Sequence, residues 1–490
     1  MNQNVAKLAP AIVWKRFEEL NAVPRPSKKE ERVIEFMKSF GQGLDLETIV
    51  DPIGNVIIRK PATSGMENRQ GVILQAHLDM VHQKNADTNF DFETQGIESQ
   101  IGDDGWVRAN GTTLGADNGM GVASIMALLA ADDIEHGPIE GLFTIDEETG
   151  MTGAFKLQPE ILTGTILLNT DTEDEGELCI GCAGGVDTNI SLAYTPTQID
   201  SIDSCTALNI SVTGLRGGHS GCEIHLGRGN ANKIMNRLLW NTDQQFDLRI
   251  GSIDGGSLRN AIPRESFATV VVDSEKADDF KLHVANLVSI IQTELIRTEP
   301  DLKVTIQTTD TPAAVMDREN QIKLIQSVYA APCGVIRMSD EMPDLVETST
   351  SLARVKVESG TAEIQFLTRS SVETARDDLS NMIEATFRLT GAKVEHGGAY
   401  PGWKPNADSK ILELMKSVYQ DLYGVQPKVN AVHAGLECGI IGSVYPGLDM
   451  ISFGPTIKNP HSPDEKCEIA SVEKYWRYLL ATLKQIPVVG

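Results

Sequence analysis

His77 and Asp79 close the segment Gly71 to Asp79, GVILQAHLD, where an apolar run gives out onto an imidazole and a carboxylate. Imidazole is a strong ligand for zinc, and a carboxylate two residues on can hold the ring or support it from behind. One H-x-D pair means little by itself, because a histidine satisfied within a core is commoner. Two more apolar runs end the same way. GLFTID (Gly141 to Asp146) is followed by Glu147 and Glu148, and GTILLNT (Gly164 to Thr170) is followed by Asp171. An acidic turn is the ordinary explanation of Asp146-Glu147-Glu148, but it does not explain why the run follows a buried strand. Asp117 lies at the glycine-rich turn of GTTLGADNGMGVASIMALLA, and His461 lies in KNPHSPDE. Alone, Asp117 reads as a helix N-cap; beside the strand-end acids it reads as a ligand. His77, Asp117, Glu148, Asp171 and His461 exceed what one tetrahedral catalytic zinc needs, and suffice for two ions if a carboxylate bridges. Spacing leaves open which residue bridges.

The elements that must position these groups follow from the pattern. Val72, Ile73 and Leu74 read as a buried strand, and several strands delivering acids or a histidine at their ends are what an open α/β sheet uses to build a site. Pro10 to Val23 has helical periodicity, and Ser27 to Phe40 reads as a second helix with Ser27 and Glu30 as a capping box. Glu47 to Lys60 reads as a hairpin, and residues 83–110 are polar and strand-poor. From about residue 187 the pattern changes. Alternating segments, ALNISVTGL and ATVVVDSE, interleave with helices at Asn230 to Trp240 and Ala277 to Glu294, and Val355 to Ser371 adds a hairpin. That order suggests an α+β domain with an antiparallel sheet. GGAYPGWKPN near residue 400 has the composition of a linker, after which helix, strand and helix resume. The expected architecture is an α/β catalytic domain (residues 1–186 and 401–490), a mixed sheet flanked by helices, interrupted by an inserted α+β lid (residues 187–400).

At 490 residues two domains are the prior, and 41% hydrophobic with 23% charged residues is ordinary for a globular chain. A formal net charge of −25 argues against nucleic acid, since phosphates would be repelled. No apolar run approaches the length of about 18 residues that a membrane helix needs, and the first residues carry no long apolar h-region. Seven cysteines point to a reducing cytoplasm, with Cys179 and Cys182 read as packed thiols.

HLDM, GADNG, DEETG, NTD, GGHSG and NPHSPDE, in that order and over essentially the whole chain, resemble the di-zinc aminoacylase/carboxypeptidase/dipeptidase family. The resemblance implies two zinc ions per chain, replaceable by cobalt or manganese. Asp117 would bridge, with His77 and Asp171 on one ion and Glu148 and His461 on the other. It implies that Asp79 orients His77 and that Glu147 is the general base. The chemistry agrees: a water between two zincs about 3.5–4 Å apart is acidified towards a pKa of about 7, and Glu147 can take its proton and return it to the leaving amine. GLRGGHSG lacks the lysine and hydroxyl of a phosphate loop. The resemblance instead makes His219 an oxyanion donor, and Asn260 and Arg369 substrate-binding residues, with Arg369 suited to a peptide carboxylate. His433 and Glu437, four residues apart in HAGLECG, have ligand-like spacing, but five ligands already fill the site, which leaves them a substrate-side or structural role.

The function this implies is hydrolysis of unblocked dipeptides with broad side-chain tolerance, with Xaa-His dipeptides among the candidates. An N-acyl amino acid deacylase with the same metals is the alternative within hydrolases. A catalytically silent binding protein is the alternative outside them, and the intact ligand set and Glu147 argue against it. A cytoplasmic homodimer with small peptides as its substrates and no membrane partner is expected.

Overall fold

The ends of three buried strands carry the site. In the computed structural model, which describes residues 4–199 and 204–489, β3 (Val72–His77), β6 (Ile139–Thr144) and β7 (Ile166–Asn169) are buried along their whole length. β3 pairs in parallel with β6 on one side and β7 on the other, which accounts for their continuous rather than alternating apolar runs. β1 (Glu47–Val50) and β2 (Val56–Lys60) form the expected hairpin, and β2 adds antiparallel to β6. With β8 (Glu177–Cys182) and the later strands Asp449–Ser452 and Lys428–Val432 they make an eight-stranded sheet in the order β1, β2, β6, β3, β7, 449–452, β8, 428–432.

α1 (Ala11–Asn21) buries Val13, Trp14, Phe17 and Leu20, and α3 (Ala116–Ala130) packs beside it. The small residues of α3 permit close approach. A side chain at Gly121 would lie 2.0 Å from Asn118 Oδ1 and 2.1 Å from Thr170 Oγ1, so only glycine lets that turn meet the end of β7.

Two expectations from the sequence fail locally. Ser27 and Glu30 form no capping box on α2 (Glu31–Gly43): Ser27 Oγ donates to Asp79 Oδ2 at 2.8 Å, and the Glu30 carboxylate accepts from the Lys28 main chain. A fully buried carboxylate needs every donor it can gather, and it outcompetes a solvent-facing helix end for the hydroxyl. The strand-poor stretch contains β4 (Ser99–Ile101) and β5 (Trp106–Ala109), which pair with each other and with Lys466–Glu468. Short strands whose partner lies far along the chain leave little periodic signal.

The chain divides into two compact units, residues 1–181, 405–431 and 436–490 in one, and residues 182–404 and 432–435 in the other. The second unit holds an antiparallel nine-stranded sheet, ordered 303–308, 205–213, 266–273, 249–255, 346–358, 361–370, 184–193, 393–400, with 334–338 beside 346–358. Helices Ala231–Phe246, Ala277–Leu295, Arg318–Ala330 and Glu373–Arg388 contribute to its core. Asn230 caps the first of them, accepting from the main chain of Asn232 and Lys233. Among the described residues no helix is long and apolar enough to cross a membrane.

Candidate metal centre

His77 ends β3 and is buried, with its tautomer set by what lies behind it. Nδ1 is 3.1 Å from the Asp79 carbonyl oxygen and 3.5 Å from Asp79 Oδ1, both acceptors, so Nδ1 carries a proton and Nε2 is the nitrogen turned towards the acidic cluster. Nε2 lies 3.2 Å from Asp117 Oδ1 and 3.4 Å from Asp171 Oδ1. On the far side of Asp117, His461 Nε2 lies 3.3 Å from Asp117 Oδ2 and 2.9 Å from Glu148 Oε2. The two oxygens of one carboxylate therefore face two donor sets, His77 with Asp171 and His461 with Glu148. Glu147 joins His77 and Glu148 in a third overlapping group. All five residues expected as ligands, with Asp79 and Glu147, are brought together by this unit.

The crowding of acids and histidines suits a site that holds cations. Glu148 Oε1 is buried without a hydrogen-bond partner. Burial, and then the neighbouring acids, push the Glu147 carboxyl well above its usual range, and burial also raises that of Glu148. Hydrogen bonds to Asp117 and Glu148 hold His461 protonated up to about 11. Burial disfavours charge on His77, yet Asp171 and Asp117 outweigh it and raise its pKa. Nitrogen and oxygen donors crowded in this way suit one or two borderline or hard divalent ions, which would take the place these protons occupy.

The frame around the cluster includes groups that reading the sequence passed over. Glu465, four residues after His461, is buried, and its carboxylate accepts four main-chain N–H groups: Leu114 (2.7 Å), Gly115 (2.9 Å), Ala116 (2.8 Å) and Asp117 (3.2 Å). It binds the turn before α3 as an anion would be bound at a helix start. Buried Arg25 sits under the same turn, donating to the carbonyls of Gly115 (2.6 Å), Leu78 (3.1 Å) and Asp79 (3.2 Å). Burial lowers its pKa only to about 10, so it stays charged. Gly115, at φ 69°, is required there because a Cβ would lie 2.6 Å from Arg25 Nη2. Asn118, joined to Asp117 by a cis peptide, donates to Asp171 Oδ1. Glu465 stood inside a site motif and was findable as an acid near a ligand; Arg25, in VPRPS, gave no signal. Glu465→Ala leaves four main-chain N–H groups unpaired and removes the largest of the counter-charges near Arg25. It should lower unfolding free energy by roughly 3–5 kcal/mol. Denaturant melts check this, and an unchanged midpoint refutes the clamp.

In the second unit, His219 Nδ1 accepts from the main-chain N–H of Gly221 (3.1 Å) and Cys222 (2.9 Å), so Nε2 carries the proton and is a donor. Burial and then Arg369 lower its pKa, which keeps that tautomer neutral. Arg369 is buried, donating from Nη1 to the Tyr400 hydroxyl at 2.7 Å, with Nε left without a partner. His433 pairs through Nε2 with Ser349 Oγ at 2.7 Å, and burial followed by Arg369 lowers its pKa to about 3. Asn260 is exposed on a loop whose carbonyl accepts from the Ser220 N–H. His219, Arg369 and His433 thus share one neighbourhood. His433 precedes the helix Glu437–Val444, so the four-residue spacing puts no two donors on a helical face. Cys179 and Cys182 are both buried.

Comparison with known proteins adds the following. The family model described as Peptidase family M20/M25/M40 matches residues 73–485. The chain is 44% identical over 483 residues to the cytosol non-specific dipeptidase of Escherichia coli (strain K12), covering 99% of each. The crystal structure of aminoacylhistidine dipeptidase from Vibrio alginolyticus superimposes with a TM-score of 0.93 at 45% identity, covering 100% of this chain and 99% of that one. An aminopeptidase structure from Bacillus cereus, at 17% identity and a TM-score of 0.57, shares the fold over 98% of this chain and 99% of its own.

Proposed function

This chain belongs to peptidase family M20/M25/M40, and on that premise we propose that it is a dipeptidase acting on unblocked dipeptides with broad side-chain tolerance, Xaa-His dipeptides included. The similarity to two dipeptidases over nearly the whole chain supports the substrate class. The observation that carries the metal assignment is the division of the Asp117 carboxylate between two donor sets. In this reading His77 and Asp171 hold one zinc, Glu148 and His461 hold a second, and Asp117 is common to both. Cobalt(II) and manganese(II) suit the same donors. When bound, the ion pair supplies an acidified water and polarises the scissile carbonyl.

The protein groups supply the rest. Asp79 keeps the His77 ring proton on Nδ1 and accepts from the main chain of Glu147 (3.0 Å) and Glu148 (3.3 Å), which fixes the turn bearing both acids. Glu147 takes the proton of the attacking water and passes it to the leaving amine. His219, protonated on Nε2, donates to the oxyanion, and Arg369 takes the dipeptide carboxylate, with Asn260 and His433 on the substrate side. His219→Ala should lose roughly 10²–10³-fold in kcat with metal content unchanged. Near-normal turnover rejects that role. A cytoplasmic homodimer remains part of the proposal, readable by sedimentation.

A carboxylate-binding arginine and an acid-rich metal cluster suit a substrate with both termini free. On one preparation, kcat/KM should be high for Ala-Ala and Ala-His and poor for N-acetyl-Ala-Ala, Ala-Ala-amide and Ala-Ala-Ala. If the acetylated compound is the best of the five, the chain is an N-acyl amino acid deacylase instead.

A further inference from the structure

Beneath the ligands runs a row of buried polar side chains that the proposed chemistry does not use. Gln75 on β3, Asn169 on β7 and Ser452 on the next strand are adjacent partners in the sheet, and Thr144 ends β6 opposite His77. All four are buried in the sheet core, together with Glu437 at the start of the helix Glu437–Val444. Gln75 precedes His77 by two residues and Asn169 precedes Asp171 by two, so each shares a strand with, or leads directly into, a proposed ligand.

The hydrogen bonds in this row have one direction. Glu437 Oε2 accepts from Gln75 Nε2 and from Thr144 Oγ1, both at 2.7 Å. An oxygen facing two donors obliges Gln75 to turn its NH2 towards Glu437 and its carbonyl away. That carbonyl accepts from Asn169 Nδ2 at 2.5 Å, which fixes the Asn169 amide in turn. Asn169 Oδ1 then accepts the main-chain N–H of Asp171 at 3.1 Å and the hydroxyl of Ser452. Ser452 continues to Thr172 Oγ1 at 2.7 Å. Reverse both amides and the Gln75 carbonyl faces the Glu437 carboxylate while the Asn169 NH2 faces the Asp171 N–H, acceptor against acceptor and donor against donor.

We propose that Glu437 is a positioning residue: it sets the direction of the chain from Gln75 through Asn169 to the Asp171 N–H, and thereby the placement of the two strand ends that carry His77 and Asp171. The inference rests on the metal assignment above. Leucine at 437 removes the acceptor that the Gln75 amide and the Thr144 hydroxyl share, leaving Gln75 Nε2 its longer contact with Thr144 Oγ1 (3.1 Å) and Thr144 the Ala76 carbonyl at 3.4 Å, so both amides lose the group that fixes their direction. Glutamine at 437 can still present a carbonyl to both donors.

The test titrates zinc into metal-free full-length protein in competition with a chromophoric chelator. Glu437→Leu and Gln75→Leu should each weaken zinc binding roughly 10–100-fold, the usual effect of losing a group behind a ligand. The double variant should lose little more than either single one, because the two residues act in one chain. Glu437→Gln should stay within about threefold of wild type, and it decides the matter if the leucine variants do not fold. Leucine variants that fold and bind as wild type overturn the proposal, as do losses that multiply in the double variant. A tenfold or greater loss in Glu437→Gln also overturns it, since the carboxylate charge would then matter rather than the acceptor. His77→Ala is the control for the underlying assignment. If that variant keeps both zincs, the metal reading itself fails; if it loses zinc while Glu437→Leu does not, only the positioning role fails.

Discussion

Asp117→Ala should yield a folded protein that has lost both metal and activity. Its two oxygens face His77 at 3.2 Å and His461 at 3.3 Å, which places one carboxylate between both donor sets. Without it each set keeps two protein donors from the proposed four-ligand arrangement, too few to hold zinc well. The local fold should survive, because the turn before α3 is held by main-chain bonds to Glu465 and Arg25, not by the Asp117 side chain. Turnover of Ala-Ala should fall by more than about 10⁴-fold, beyond the loss of a general base alone. Wild type should carry about two zinc ions per chain and lose activity to a chelator. Metal analysis beside circular dichroism settles the matter: full occupancy in Asp117→Ala removes the residue from the bridge.

Glu147→Gln separates chemistry from metal binding. Glu148 already engages His461 at 2.9 Å, whereas Glu147 belongs to the group that faces His77. Both residues hang from the same turn, whose main chain is bonded to Asp79, so an amide of equal size leaves the turn and the metals in place. A glutamine cannot accept the proton of the water. The expected result is full zinc content, little change in KM, and a kcat lower by about 10²–10⁴-fold. Loss of zinc would make Glu147 a ligand, and a kcat near wild type would leave the reaction without this base.

These two variants also mark where reading the chain was strong. The proposed donors were legible because chemistry and local pattern coincide: β3, β6 and β7 are buried throughout and mostly apolar, as parallel strands inside a sheet are, and the polar residues at their ends stand out. The same logic found the β1–β2 hairpin, the helix capped by Asn230, and the change to an antiparallel α+β pattern, since each depends on residues close together in the sequence. Where two local options competed, it failed. Ser27 and Glu30 have the spacing of a capping box, but the hydroxyl goes to a carboxylate 52 residues away.

The sequence by itself therefore determined the kind of chemistry, because ligand types and strand ends are local properties. Only the tertiary structure decided how these side chains face one another. Which oxygen of Asp117 meets which histidine, which nitrogen of His77 is turned towards the acidic cluster, and that Glu465 reaches 351 residues back to cradle the Leu114 N–H all depend on distant segments packing together. So does the separation of His433 from Glu437, four residues apart in the chain yet joined to Ser349 and to Gln75 respectively. Hydrogen-bond direction is set by the partner across the gap, and no spacing along one strand specifies that partner.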